Sequence, residues 1–259
     1  MRYDGHVGAG SNFAVPQIVT SADECDFYHT MEIPGHGLVR GYWDLRGRTD
    51  EYLGNFDFAA KRVLEIGPAS GFLTFELEKR ASEVVAVDVA DKHAWDFVPY
   101  PAPTMQPVYA ARHEQIRLLK NSFWFAHRKF GSRARVWYGD IYNLPEELGQ
   151  FDVAVMASVL LHLNSPLLVM AECAKRASAL IITDLLYPDL EGQAVCRLQP
   201  TVENRQWDTW WNLSSDIIRQ FASVLGFGSM TTTRHKQYLE LTGANVDFFT
   251  VIARSEPQR

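Results

Sequence analysis

The stretch Arg62-Val63-Leu64-Glu65-Ile66-Gly67-Pro68-Ala69-Ser70-Gly71 restricts the fold more than any other part of the chain. Its apolar, β-branched start predicts a short strand and its glycines a tight turn. The FLTFELEKR that follows, with Phe72, Phe75 and Leu77 on one face, predicts a helix. Glycines in such a turn let backbone amides close around the polar end of a ligand. The dinucleotide fingerprint needs Gly-x-Gly-x-x-Gly, whereas Gly67 and Gly71 lie four apart and enclose Pro68, which disfavours a pyrophosphate cradle. Glu65, ahead of the turn, is wrong for a phosphate and right for a cationic amino group.

Further apolar runs at 84–87, 134–138, 151–157 and 179–184 predict four more strands, the first ending in Asp88 and the second in Gly139-Asp140. A helix is expected over 165–177, with Ser165 as N-cap and Pro166 at its first position. Apolar strands alternating with helices imply a parallel sheet covered on both faces. The chain ends in a helix over 214–225, closed by Gly226, and two alternating segments, 229–235 and 246–253, that form a hairpin. The expected fold is α/β: a Rossmann-like, seven-stranded, mostly parallel sheet with a C-terminal antiparallel hairpin strand and helices on both faces. Residues 57–259 make this domain, and 1–56, which lack a sustained period, read as a cap or lid. Between two neighbouring strands, 89–139 is long for a crossover. Pro99, Pro101, Pro103 and Pro107 mark an irregular loop there, and 109–130 one long helix.

Composition narrows the function. Of 259 residues 47% are apolar, which excludes a disordered chain, and 25 Lys and Arg against 31 Asp and Glu leave a net charge of −6. That balance offers no electrostatic footprint for nucleic acid. No run of 18 apolar residues occurs, and the start MRYDGHVGAGSN holds Arg2 and Asp4 without an apolar region, so no membrane span or leader is expected. Cys25, Cys173 and Cys196 are far apart and in no metal spacing, which fits reduced thiols of a cytoplasmic protein and no metal site.

Ligands of open parallel sheets bind at the carboxyl ends of the strands, where Glu65, Asp88 and Asp140 all fall. Asp88 is placed to accept both hydroxyls of a ribose, and Asp140 to meet an adenine amino group. With Glu-x-Gly-x-x-x-Gly, an acid at the next strand end, Gly-Asp and the FDVAVMASVLLHL segment, residues 62 to about 253 resemble class I S-adenosylmethionine-dependent methyltransferases. The resemblance implies S-adenosyl-L-methionine as cofactor. Gly67, Pro68, Ser70 and Gly71 would pass under its methionine part with Glu65 supporting the turn. Asp88 would bind the ribose, Asp140 and Ile141 the adenine, and Ala157 and Ser158 would line the pocket beside the methionine.

KRVLEIG at 61–67, SVLLHLNSPLLVM with His162 and Pro166, the Trp207-Asp208-Thr209-Trp210-Trp211 segment and the FYHTMEIPG at 27–35 are similar to a subgroup. It contains enzymes that modify the wobble uridine of tRNA by carboxymethyl transfer, and their bacterial relatives. The tRNA enzymes carry a substantial basic N-terminal region. Here about 56 residues precede the domain and the charge is negative, so the expected acceptor is a small molecule, methylated at oxygen or nitrogen. A tRNA-modifying transferase and a regulatory protein that binds the cofactor without transfer are the alternatives.

Where an acceptor must lose a proton, His162 is a candidate base or a helix-capping residue; Tyr28 and His29 of the lid are further catalytic candidates that, with His36, could reach the acceptor or be ordinary packing. Asp184, expected at the pocket rim, reads equally as base, substrate contact or solvated turn. Trp207, Trp210 and Trp211 would stack on a flat acceptor, although Trp210 and Trp211 point in different directions in any regular structure. Arg40, Arg46 and Arg48 around Trp43 would fix an acidic acceptor or form a solvated surface. The basic helix holding Arg112, Arg117, Lys120, Arg128 and Lys129 reads as a solvated face.

Overall fold

The computed structural model describes residues 13–90 and 96–256. Arg2 and Asp4, the first part of the expected cap, and residues 91–95 of the long insert lie outside them. Along the chain run β1 (Met31–Ile33), β2 (Gly37–Val39), β3 (Trp43–Asp44), α1 (Thr49–Tyr52), β4 (Arg62–Ile66), α2 (Phe72–Glu78) and β5 (Glu83–Val89). Next come α3 (Ala102–Phe130), β6 (Arg135–Gly139), β7 (Phe151–Ala157), α4 (Pro166–Ala174), β8 (Ala177–Leu185), β9 (Cys196–Leu198) and β10 (Trp211–Leu213). The chain closes with α5 (Ser215–Val224), β11 (Phe227–Leu239) and β12 (Ala244–Ser255).

The main sheet has the order β3-β11-β12-β8-β7-β4-β5-β6. From β8 to β6 the pairings are parallel; β12 joins β8 antiparallel and pairs with β11 in a long hairpin. All seven expected strands are present, and an eighth comes from the expected cap, where Trp43 and Asp44 pair with Leu239 and Tyr238. Two residues carry no readable period, which is why this edge is silent in the sequence. The long helix also starts earlier than expected, at Ala102. Pro103 sits in its first turn, where no intrahelical bond is lost, and only Pro107 forfeits one.

The central strand β4 shows why the sheet is buried on both faces. Val63 belongs to one core with Phe72, Leu77, Trp124 and Phe125 of α2 and α3, while its neighbour Leu64 belongs to a second with Met170 and Ile218 of α4 and α5. The N-terminal segment joins the first of these cores: Met31, Ile33, Leu45, Leu53 and Phe58 are all buried there. It is pinned to the turn after β4 by Ser70, whose fully buried hydroxyl accepts the backbone N–H of both Tyr28 and His29 at 3.2 Å. Among the described residues no helix is long and apolar enough to cross a membrane, and the three cysteines are free.

Ser70→Ala leaves the buried N–H of His29 and the partly buried N–H of Tyr28 without an acceptor and is expected to cost about 2 kcal/mol, read as a lower urea midpoint. A midpoint equal to the wild type would show that the segment is held by its apolar packing alone.

Candidate active site

A cavity of about 410 Å³ opens at the carboxyl ends of the parallel strands, within the range of small-molecule sites. Gly67 turns the chain after β4 at φ +75°, a conformation that disfavours a side chain, and a Cβ there would lie 3.0 Å from Val159. Glu65, Gly67, Pro68, Asp88, Asp140, Ile141, Ala157 and Ser158 all stand on the cavity wall. Two other expected cofactor contacts do not. Ser70 is turned to the N-terminal segment, and Gly71, at φ +88°, starts α2 against Phe75 and Phe123.

Glu65 is 2% exposed and accepts a hydrogen bond from Thr74 Oγ1 at 2.5 Å. Burial, with a smaller push from Asp88, lifts its carboxyl to about 7 in spite of that bond. Asp88 ends β5, with Oδ1 accepting the N–H of Val89, and Asp140 Oδ1 accepts the N–H of Tyr142. Strand-end geometry therefore spreads three carboxyl groups across β4, β5 and β6. Arg112 of α3 reaches the same wall, so the expected solvated face does not hold for it. Burial lowers its pKa while Asp208, Tyr28 and Asp88 act against that, and its guanidinium lies 5.5 Å over the Trp207 ring.

The rest of the wall is of another kind. Tyr28, His29, Trp43, Leu45, Tyr52, Leu185 and Phe248 line it, with Trp43 and Tyr52 edge-on to Phe248 at 5.3 and 5.7 Å. Tyr52 and Ser158 share a hydroxyl hydrogen bond of 2.9 Å. His29 is held neutral by burial, which takes its pKa down to about 3, and its buried Nδ1 has no hydrogen-bond partner. Tyr28 is likewise kept a phenol by burial. His162 follows β7 on a one-turn helix, Leu160–His162, at the cavity wall. Its Nδ1 meets the Asp208 carbonyl at 2.6 Å. A carbonyl only accepts, so Nδ1 carries the hydrogen and Nε2 keeps its lone pair. Burial lowers the pKa of this ring.

Asp184 corrects the expectation of a rim residue: it lies within β8, is 1% exposed and stays off the cavity wall. Its Oδ1 accepts from the N–H of Leu185, Oδ2 has no partner, and burial lifts the carboxyl to about 7. Trp207, Trp210 and Trp211 are also off the wall, where they had been expected to meet the acceptor. Trp210 donates to the Asp96 carbonyl at 2.5 Å, Trp211 to that of Asn164 at 3.3 Å, and Trp207 packs on Phe97. The two adjacent rings stack at 27° rather than diverging, because Trp210 precedes β10 and escapes strand alternation. His36 sits edge-on to Phe125, away from the cavity. Arg40 and Arg46 pair with Glu240 and Asp44 on the surface, and Arg48 bonds Asn245.

Sequence reasoning missed Tyr52, Asp96 and Tyr142 on this wall. Tyr142 donates to Asp96, whose carboxylate also accepts from the Asn164 backbone at 2.9 Å. Tyr142 lies two residues beyond the Gly139-Asp140 strand-end signal, the one cue that would have found it.

Among solved structures, the N-terminal domain of EvdMO1 crystallised in the presence of SAH and D-fucose is similar over 91% of this chain and 94% of that one, at 16% identity and a TM-score of 0.58. The same domain with SAH bound is similar over 80% and 78%, at 15% identity and 0.50. The chain shares the Rossmann-like α/β fold of that domain. A 1,6-didemethyltoxoflavin-N1-methyltransferase from Burkholderia thailandensis, with bound 1,6-didemethyltoxoflavin and S-adenosylhomocysteine, covers 80% of this chain and 75% of its own at 15% identity and 0.47. No protein-family model matches, and no curated protein matches.

The raised carboxyl of Glu65 has a stability consequence. A folded-state pKa near 7 against an ordinary 4.5 favours the protonated form. The stability this group contributes is therefore full below about 4.5 and is lost as pH rises to 7. Glu65→Gln keeps the acceptor for Thr74 and removes the ionisation. At pH 8 it should unfold at higher urea than the wild type, and at pH 4 the two should coincide; equal midpoints at both would refute the burial argument.

Proposed function

We propose that this protein transfers a methyl group from S-adenosyl-L-methionine to an oxygen or nitrogen of a small-molecule acceptor. The observation that carries the reading is the row of three carboxyl groups, Glu65, Asp88 and Asp140, at the ends of three neighbouring parallel strands on one cavity. Their chemistry fits the cofactor from end to end. Glu65 is a buried acid suited to an ammonium group, Asp88 to ribose hydroxyls, and Asp140 with Ile141 to an adenine edge. Gly67 and Pro68 let the backbone pass close beneath the chain between them.

When bound, the cofactor supplies a methyl group activated by a positively charged sulfur. The protein's own contribution is alignment and exclusion of water. Tyr28, Trp43, Tyr52, Leu185 and Phe248 close the wall beyond Ser158 with mostly apolar surface. His162, its tautomer fixed by the Asp208 carbonyl, offers Nε2 to a proton on the acceptor's oxygen or nitrogen. A small acceptor is favoured over RNA by the net charge of −6 and by a wall that carries Glu65, Asp88, Asp96 and Asp140 against one Arg and no Lys among the described residues.

Calorimetry with S-adenosylhomocysteine tests the cofactor site: Asp88→Ala should weaken binding about tenfold or more, since two hydroxyl bonds are lost. Wild-type affinity should rise with pH through about 7, because the ammonium is held by the ionised form of Glu65. Undiminished binding by Asp88→Ala, or a flat pH profile, would remove those two assignments. His162→Asn retains a donor for the Asp208 carbonyl and should slow transfer of labelled methyl to acceptors in a cell extract roughly 100-fold, with unchanged affinity for the cofactor product. Equal rates would exclude His162 as base.

A further inference from the structure

The cavity wall is divided by chemistry, and the division says what enters beside the cofactor. Glu65, Asp88, Asp96, Asp140 and Arg112 belong to the part formed by β4, β5, β6 and α3 and their adjoining loops. The part under β3, β8 and β12 contributes Trp43, Leu185 and Phe248, joined by Leu45 and Tyr52, and no Lys, Arg, Asp or Glu among the described residues. A charged group brought there would lose its water with no charged side chain on this part of the wall to pair with, only Asp184 behind it, which burial holds protonated up to about 7, at a cost of several kcal/mol. Trp43 and Tyr52 meet Phe248 edge to face at 83° and 64°, so ring faces are used on one another instead of being turned to one point, as a cation cage requires. Such a surface favours a flat, apolar ring.

One polar demand remains in this region. His29 is only 7% exposed and stands on the cavity wall; its Nδ1 is closed off from the cavity without a hydrogen-bond partner, and no described protein group bonds its Nε2. It is not free to find one elsewhere. Its backbone N–H is held by Ser70 and its ring lies 5.7 Å from that of Phe72. That leaves Nε2 as the nitrogen a ligand in the cavity can reach, and a hydroxyl can bond it whether it carries the hydrogen or the lone pair.

On the methyltransferase reading above, we propose that the acceptor is an uncharged aromatic compound bearing a hydroxyl group, its ring against Trp43, Tyr52 and Phe248 and its hydroxyl bonded to His29. The test is calorimetric titration of 2-naphthol, 2-naphthoate, benzyltrimethylammonium and cyclohexanol into the whole protein, with and without saturating S-adenosylhomocysteine. The expected result is 2-naphthol binding in both states, about tenfold or more tighter than each of the other three probes, a ratio worth 1.4 kcal/mol. His29→Phe should weaken 2-naphthol about fivefold, and Trp43→Leu about tenfold, with S-adenosylhomocysteine affinity unchanged, which also certifies that both variants fold. Tighter or equal binding of the anion, the cation or the non-aromatic alcohol overturns the proposal, as does a His29→Phe effect confined to S-adenosylhomocysteine. Should 2-naphthol bind while S-adenosylhomocysteine does not, the cofactor reading fails and the acceptor pocket stands. The reverse outcome leaves the cofactor reading intact and refutes this inference.

Discussion

The Ser70 hydroxyl takes two backbone N–H groups from a segment more than 40 residues earlier in the chain, in a site closed to water. Either N–H, left without an acceptor, would cost about 1–3 kcal/mol, so the N-terminal segment and the turn after β4 are fixed to one another. Both sides of the cavity depend on that contact. On one side the same turn presents Gly67 and Pro68; on the other, Tyr28 and His29 stand on the wall and lead the chain toward Trp43. Ser70 serves the ligand indirectly, by bringing the two walls to a common register, and this is why a hydroxyl in a glycine turn need not touch what the turn binds.

Burial of carboxyl groups gives the same wall a second property. Glu65 and Asp184 are both lifted to about 7 by loss of water, but they differ in what surrounds them. Glu65 opens onto the cavity and meets whatever fills it, so an incoming cation is rewarded by ionising it. Asp184 lies behind the wall with one oxygen unpartnered, and no ligand in the cavity relieves it directly. One strained acid thus faces the cavity, while the other is a standing cost behind the part of the wall that Leu185 and Phe248 line.

How far the sequence could be read follows from distance along the chain. Gly67, Asp88 and Asp140 were legible because each is a strand end, and a strand end in a parallel sheet is located by its own apolar run. Tyr52 was not, since it lies on a four-residue helix in a segment without period, and its place on the wall is set by Ser158, 106 residues later. Arg112 was misread for a related reason: the local pattern of a basic helix does not reveal that Arg112, Ile116 and Leu119 of it face a cavity. The tryptophans failed differently. Their clustering is real, but the carbonyls of Asp96 and Asn164 claim two indole N–H groups and draw the cluster behind the wall.

The hairpin of β11 and β12, strands of 13 and 12 residues, carries a buried polar chain across its inner face. Gln237 Nε2 donates to His235 Nδ1 at 2.9 Å, which places the ring hydrogen on Nε2, and Nε2 then donates to Thr250 Oγ1 at 2.9 Å. Burial keeps His235 neutral, near 4, so this direction of donation persists at physiological pH. The hydroxyls of Thr250 and Thr183 lie 2.9 Å apart and both reach the carbonyl of Tyr52, at 2.9 and 2.7 Å. The two threonine hydroxyls have two hydrogens for these three contacts, and in every arrangement at least one is donated to the carbonyl of Tyr52, whose phenol bonds Ser158 at the cavity. The terminal hairpin therefore does more than close the sheet: it anchors from behind the backbone of Tyr52, whose ring belongs to the aromatic part of the cavity wall.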